Sequence, residues 1–239
     1  MKHFLTILIL GILLSFTSCA ELQQILEQTT SDRPITTEEV ALGLKEALNQ
    51  GVAEGVGFLH ARDGFLKTMY QIPLPDEVEL VTSRVKRLPL FQNVEEVLIE
   101  KINRAAEDAV GRATPIFGDA IRAMTIEDAW NILRGERNAA TLYLYSNTHN
   151  RLYDEFNPVI VDALNKFDVL DYWESVVNAY NSIPLVQQAN PRIDDFVTSW
   201  ALDALFDRVA IEEEAIRTNV ERRTSDLLKR VFARQDSPS

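Results

Sequence analysis

The sequence predicts an all-α fold, a single compact domain of about eight to ten helices. Three observations carry that reading. Apolar residues recur at three- and four-residue spacing through most of the chain, and helix-start and helix-stop signals punctuate it at short intervals. Apart from the short Ile72–Leu74 piece, no strong alternating strand pattern appears.

Residues 1–18 read as an export signal. Lys2 supplies the positive end, and Phe4 to Phe16 is mostly Leu, Ile and Phe, too short a run for an ordinary membrane-spanning helix. The run closes on Phe16-Thr17-Ser18-Cys19, which resembles the lipobox of bacterial lipoproteins. That resemblance implies that Cys19 is lipidated and becomes the first mature residue. Cys19 is also the only cysteine, so no internal disulfide is available. Ala20 follows where an Asp would retain an enterobacterial lipoprotein at the inner membrane. The expected location is therefore the outer membrane, facing the periplasm. Residues 19–35 read as the lipidated cysteine and a tether ending in Thr29-Thr30-Ser31-Asp32-Arg33-Pro34, residues 36–233 as the helical domain, and residues 234–239 as a C-terminal tail.

The chain carries 24 Lys+Arg against 36 Asp+Glu, a net charge of −12, and loss of Lys2 with the signal takes this to −13. Such an acidic chain is a poor fit to nucleic acid or to electrostatic adhesion on anionic lipid, so membrane contact is assigned to the lipid on Cys19.

The domain opens with Thr36-Thr37-Glu38-Glu39, a capping box in which Thr36 and Glu39 satisfy the first free N–H groups. Val40, Leu44, Ala47, Leu48, Val52, Val56 and Leu59 carry the helix on, and Gly51 and Gly55 leave a smooth groove one turn apart. Asp63-Gly64 is a turn. Ile72-Pro73-Leu74-Pro75 must be extended, and Pro75 suits the first turn of the next helix, with Asp76 and Glu77 at its positive end. Ile99, Ile102, Ala106, Ala109, Ala113 and Ile116 then form a thin stripe that lets a partner helix approach closely. Beside it lie the pairs Asn103–Glu107, Glu100–Arg104 and Arg104–Asp108. They read first as a solvated charged flank; the alternative is a half-buried polar cluster that fixes helix register or contacts a ligand.

Thr114-Pro115 reads as a cap and first residue, Thr125 to Asp128 as the cap of a helix that stops at Gly135, and Asn138 as the cap of the next. Asn157-Pro158 reads as a fresh helix start. Tyr172, Trp173, Val176, Val177 and Tyr180 mark a helix ending near Pro184. Asn190-Pro191 leads into a long one whose buried side carries Ile193, Phe196, Val197, Trp200, Ala204 and Leu205. Thr224 caps the last, with Leu227, Leu228, Val231 and Phe232 inward.

The order of short motifs resembles a known family. Gly43-Leu44-Lys45-Glu46-Ala47-Leu48, Asp63-Gly64-Phe65, Ile72-Pro73-Leu74-Pro75, Asn103-Arg104-Ala105-Ala106-Glu107, Met124-Thr125 with Asp128-Ala129, Ala140-Thr141 with Tyr143, Ala201-Leu202-Asp203 with Leu205-Phe206, Glu213 with Ile216-Arg217, and Leu227-Leu228-Lys229-Arg230-Val231-Phe232 follow one another. Together they are similar to an uncharacterised bacterial family, domain of unknown function 4197, over roughly Thr37 to Phe232. Ile102, Ala204 and Val220 depart from its usual Met, Gly and Pro. The resemblance implies an exported or lipid-anchored helical domain and supplies no catalytic residues.

No catalytic residue and no cofactor is assigned. His60 and His149 share no ligand spacing, which leaves no metal site, and neither a Gly-x-Ser-x-Gly nor a His-Glu-x-x-His pattern occurs. The candidate site is polar. Asn103, Arg104, Glu107, Thr141, Tyr143, Glu213 and Arg217 are expected to meet as one hydrogen-bonded cluster, with Arg217 paired to Glu107 or Glu213. Three classes of function remain. The leading one is a non-catalytic binding or structural lipoprotein with an envelope protein partner. The second is a carrier of a small or apolar ligand, with Tyr143, Tyr145, Phe156, Phe167, Trp173 and Trp200 as a lining. The third is a hydrolase using carboxylates such as Glu107, Asp128 or Asp203.

Overall fold

The computed structural model describes residues 34–189, 192–233 and 236. The expected signal, the Cys19 anchor, most of the tether and most of the tail lie outside the described residues. Among the described residues there are nine α-helices, two short 3-10 turns and no strand.

Helix α1, Thr37–His60, starts at the expected capping box: Thr36 accepts from the Glu39 N–H, and the Glu39 carboxylate accepts from the Thr36 N–H. A tight turn follows. Asp63 takes the left-handed conformation, φ 69°, which Asp tolerates. Gly64 is needed beside it for a different reason: a Cβ there would lie 2.5 Å from the carbonyl oxygens of Phe58 and Leu59. The extended Ile72–Pro75 segment crosses to α2, Asp76–Val85, with Pro75 as its N-cap, one position before the expected first turn. A 3-10 turn, Pro89–Phe91, leads into α3, Val94–Val110.

Helix α4, Ala113–Ala123, begins at Ala113, so Thr114-Pro115 sits inside its first turn instead of starting it. Proline loses nothing there, because first-turn N–H groups have no intrahelical partner. Helix α5, Ile126–Arg134, has the expected capping box of Thr125 and Asp128 and ends at Gly135. Helix α6, Ala139–Lys166, runs straight through Asn157-Pro158, so no helix starts there. The buried stripe Leu152, Phe156, Ile160 and Leu164 is unbroken across the proline. Burying those side chains, about 1.5–3 kcal/mol each, outweighs roughly 3 kcal/mol for an interior proline.

Helix α7 spans Val169–Asn181 and α8 Ile193–Thr218; after a second 3-10 turn, Val220–Arg222, α9 spans Asp226–Phe232. Ser225, not Thr224, caps α9, accepting from the Leu228 N–H.

Helix α8 is the central element, packed chiefly against α6 and α1. Its contact with α1 uses the glycine groove: an added Cβ on Gly51 would touch the Glu212 side chain at 3.5 Å, and one on Gly55 the Val209 side chain at 3.5 Å. Of the expected stripe, Ile102, Ala106 and Ala109 are buried on α3 and Ile99 is half-buried, whereas Ala113 and Ile116 lie on α4, beyond the break at Gly111. Trp200 departs from expectation: it is 37% exposed, stacked beside the half-buried Phe196 at 5.6 Å.

Candidate functional site

The seven polar residues singled out by the sequence fall into three separate places. The first is the corner between α5 and α6. Helix α6 begins with N–H groups that lack intrahelical partners, and Asn138 does not cap them with its side chain. Glu213 reaches over from α8 instead. Its Oε1 accepts from the Ala140 N–H at 2.9 Å, and its Oε2 accepts from the Thr141 N–H and hydroxyl at 2.8 Å each. One turn later on α8, Arg217 donates Nε to Glu213 at 2.9 Å and Nη2 to the Ile132 carbonyl at 2.9 Å. One ion pair therefore covers the positive end of α6 with a carboxylate and the negative end of α5 with a guanidinium, the arrangement both helix dipoles favour. Both side chains are buried.

The second place joins α3 to the loop after α1. Asn103 is wholly buried and pairs with both backbone groups of Ile72: its Oδ1 accepts from the N–H at 2.8 Å and its Nδ2 donates to the carbonyl at 2.9 Å. A single side chain thus acts toward the extended segment as a neighbouring strand would. Glu107 accepts from the N–H groups of Phe65 and Leu66 through Oε1, both at 3.3 Å, and from Arg104 through Oε2 at 2.8 Å. Arg104 also binds Asp63 at 2.7 Å. Hydrogen bonds from Lys67 and then Arg104 hold the Asp63 carboxyl below its usual range. The solvated flank expected here is a closed set of ties. Glu100 and Asp108 are not the partners of Arg104; Asp108 pairs with Lys166 across to α6.

The third place is Tyr143, which donates its hydroxyl to Asp128 at 3.2 Å. Burial, and then the adjacent Asp128 charge, raises the tyrosine pKa. Asp128 is shifted the other way, below the usual carboxylate range, by hydrogen bonds from the Thr125 hydroxyl and N–H. The pair borders an open cleft of about 350 Å³ between α4, α5 and α6, which Asp119 and Arg151 also line.

The expected single cluster is thereby corrected. Glu213, Arg217 and Thr141 meet, and so do Asn103, Arg104 and Glu107 as a second group. Arg217 pairs with Glu213 and not with Glu107, while Tyr143 stands apart. The carboxylates weighed for hydrolysis do not converge: Glu107 is tied to the loop, Asp128 is a helix cap, and Asp203 faces solvent on α8. The aromatic set lines no common chamber; Phe156 is in the core while Tyr145 and Trp200 are exposed. Between α1, α6, α8 and α9 lies a small pocket of about 10 Å³, bordered by Glu213 and Arg217. Among the described residues no three His, Cys, Asp or Glu side chains converge as metal ligands. His60 instead bonds the Glu107 carbonyl at 2.7 Å, and His149 stacks on Tyr145.

Several polar residues escaped the sequence reading. Lys45 donates to the Arg122 carbonyl at the end of α4, and Lys101 to the Phe167 carbonyl at the end of α6. Buried Arg223 donates to the Ile216 and Arg217 carbonyls near the end of α8, with Asp236 as counter-charge at 2.5 Å. Arg208, Glu212, Arg222 and Glu54 form a further chain of ion pairs between α8, the following turn and α1. Arg208 and Glu212 are one turn apart on α8, but the ties from Lys45, Lys101 and Arg222 join distant segments that no local spacing signals.

No curated protein and no solved structure matches this chain. A family model matches residues 34–233, the whole helical domain, and the chain belongs to that family, described as protein of unknown function (DUF4197).

Proposed function

We propose that this protein is a lipid-anchored envelope lipoprotein, held in the outer membrane through Cys19, whose helical domain is a non-catalytic binding or structural module. One observation carries the reading. The buried polar residues where chemistry would reside are occupied in holding the fold together: Glu213 and Arg217 cap two helices, and Asn103 and Glu107 pin a loop. That leaves the surface for function. The depressed pKa of Asp128 argues against its service as a general acid, which needs a carboxyl raised toward neutrality. A surface groove of about 480 Å³ floored by Pro75, Leu80, Tyr180 and Phe196 suits docking of another protein.

The test uses a palmitate analogue in cells, followed by pull-down from detergent-solubilised envelope. Wild-type protein is labelled and sediments with outer membrane; Cys19→Ala is neither labelled nor retained, and recovers fewer envelope proteins. A Cys19→Ala protein that still takes up label removes the anchor from this reading. Turnover of an ester or peptide library, abolished by Asp128→Asn in a folded variant, would replace the module with an enzyme.

A further inference from the structure

The chain is acidic overall, yet between Glu79 and Glu95 it carries three cations, Arg84, Lys86 and Arg87, and no carboxylate. The fold turns these residues outward. Val78, Val81 and Val85 bury one side of α2, which leaves Arg84, Lys86 and Arg87 exposed at its C-terminal end. The 3-10 turn that follows is anchored from beneath by Phe91, whose ring packs 6.4 Å from that of Tyr172. Anchoring at Phe91 pushes Leu88 and Leu90 away from the core. Leu90 is 88% exposed and Leu88 39%. Lys86 meets Glu95 at 3.1 Å, whereas neither Arg84 nor Arg87 has an ion pair among the described residues.

We infer that this corner is a membrane-docking surface, in which Arg84, Lys86 and Arg87 meet anionic lipid headgroups and Leu90 inserts between them. Charge complementarity selects that occupant. The mature chain, at −13, is repelled by an anionic bilayer at most of its surface, so a local cation cluster with protruding leucines sets which side faces the lipid. The inference rests on the lipid-anchored reading for its location. From Cys19 to Arg33 the roughly fifteen residues reach up to about 50 Å when extended.

The experiment takes the mature chain, residues 19–239, with Cys19→Ala so that no acyl chain contributes. Co-sedimentation is measured with phosphatidylcholine vesicles, with and without phosphatidylglycerol, at low and high salt. The expected result is binding that requires phosphatidylglycerol and weakens with salt. Arg84→Glu with Arg87→Glu lowers it by more than about twentyfold, taking roughly fivefold for each cation lost. Leu90→Ser lowers it severalfold and leaves the salt dependence intact. All three side chains are exposed, so melting temperatures stay unchanged. Equal binding to both vesicle types, or undiminished binding of the charge-reversed chain, overturns the inference. If vesicles are ignored while the charge-reversed protein loses a crosslinked acidic envelope protein in cells, the surface serves a protein and the lipid assignment is wrong. Palmitate labelling tests the anchor separately, because vesicle binding by the unacylated chain does not depend on it.

Discussion

Removing the charge of Glu213 while keeping its shape isolates the clamp between α5, α6 and α8. In Glu213→Gln one oxygen still accepts, but the new amide donates, and it must face either Arg217 or the N–H groups of Ala140 and Thr141. Arg217, only 5% exposed, is left as an uncompensated buried cation. Breaking a buried pair from one side costs about 3–5 kcal/mol, a large share of the roughly 5–15 kcal/mol that holds a domain folded. At about 2–4 °C per kcal/mol for a domain of this size, the melting temperature falls by about 6–20 °C. Urea unfolding followed by helical circular dichroism reads the same loss as a shifted midpoint with an unchanged slope. Arg217→Met, which strands Glu213, costs a similar amount. The double variant strands no charge, so its loss is smaller than the sum of the singles by about 1–3 kcal/mol. A Glu213→Gln protein within about 1 kcal/mol of wild type, or strictly additive costs, would refute the clamp.

Two glycines of α1 separate packing from propensity. Gly43→Ala places its methyl 2.5 Å from the Val231 side chain and destabilises by about 1–3 kcal/mol, whereas Gly57→Ala meets nothing within 4 Å and stabilises by about 0.4–1 kcal/mol; thermal melts that rank them the other way contradict the packing of α1 on α9. Asn103→Leu strands the Ile72 N–H and carbonyl at a cost of about 2–5 kcal/mol, seen as faster hydrogen exchange at the Ile72 amide. The carboxyls of Asp63, Asp128 and Asp236 all sit below their ordinary range, owing first to hydrogen bonds with Lys67, Thr125 and Arg223 respectively. A carboxyl lowered by folding stabilises the fold above its unfolded pKa and stops doing so as pH falls through the folded value. Stability from these groups is thus constant near neutrality and lost below about pH 4. Thr125→Ala, which removes the cap of α5, costs about 0.5–2 kcal/mol at neutral pH and flattens that acid limb.

Local chemistry was legible in the sequence. The capping boxes at Thr36 and Thr125, the alanine stripe of α3 and the extended Ile72–Pro75 segment each follow from residues close together in the chain. What misled were places where a distant element overrides a local signal. Pro158 reads as a start, but the buried stripe Leu152, Phe156, Ile160 and Leu164 carries the helix through it. Asn138 reads as a cap, but Glu213 performs that task from α8. For the same reason spacing identifies the polar residues one by one but not the groups they form. Spacing along one helix showed that Glu213 and Arg217 are neighbours, while nothing in it could tell that Glu107 answers to Asp63 through Arg104. The exposed leucines at Leu88 and Leu90 were hidden similarly, because only the anchoring of Phe91 decides which way that turn faces.

The clamp also constrains the order in which the chain can fold as it is made. Glu213 lies 72 residues after Thr141, so α6 emerges from the ribosome with its first N–H groups uncapped. At about 5–20 residues per second, roughly 4–15 s pass before the carboxylate that completes that end exists. Arg217, which closes the end of α5, follows four residues later in the same helix. The corner is therefore assembled in one late event, when α8 docks and brings both charges together. Until α8 is made, the face of α6 that it covers has no partner.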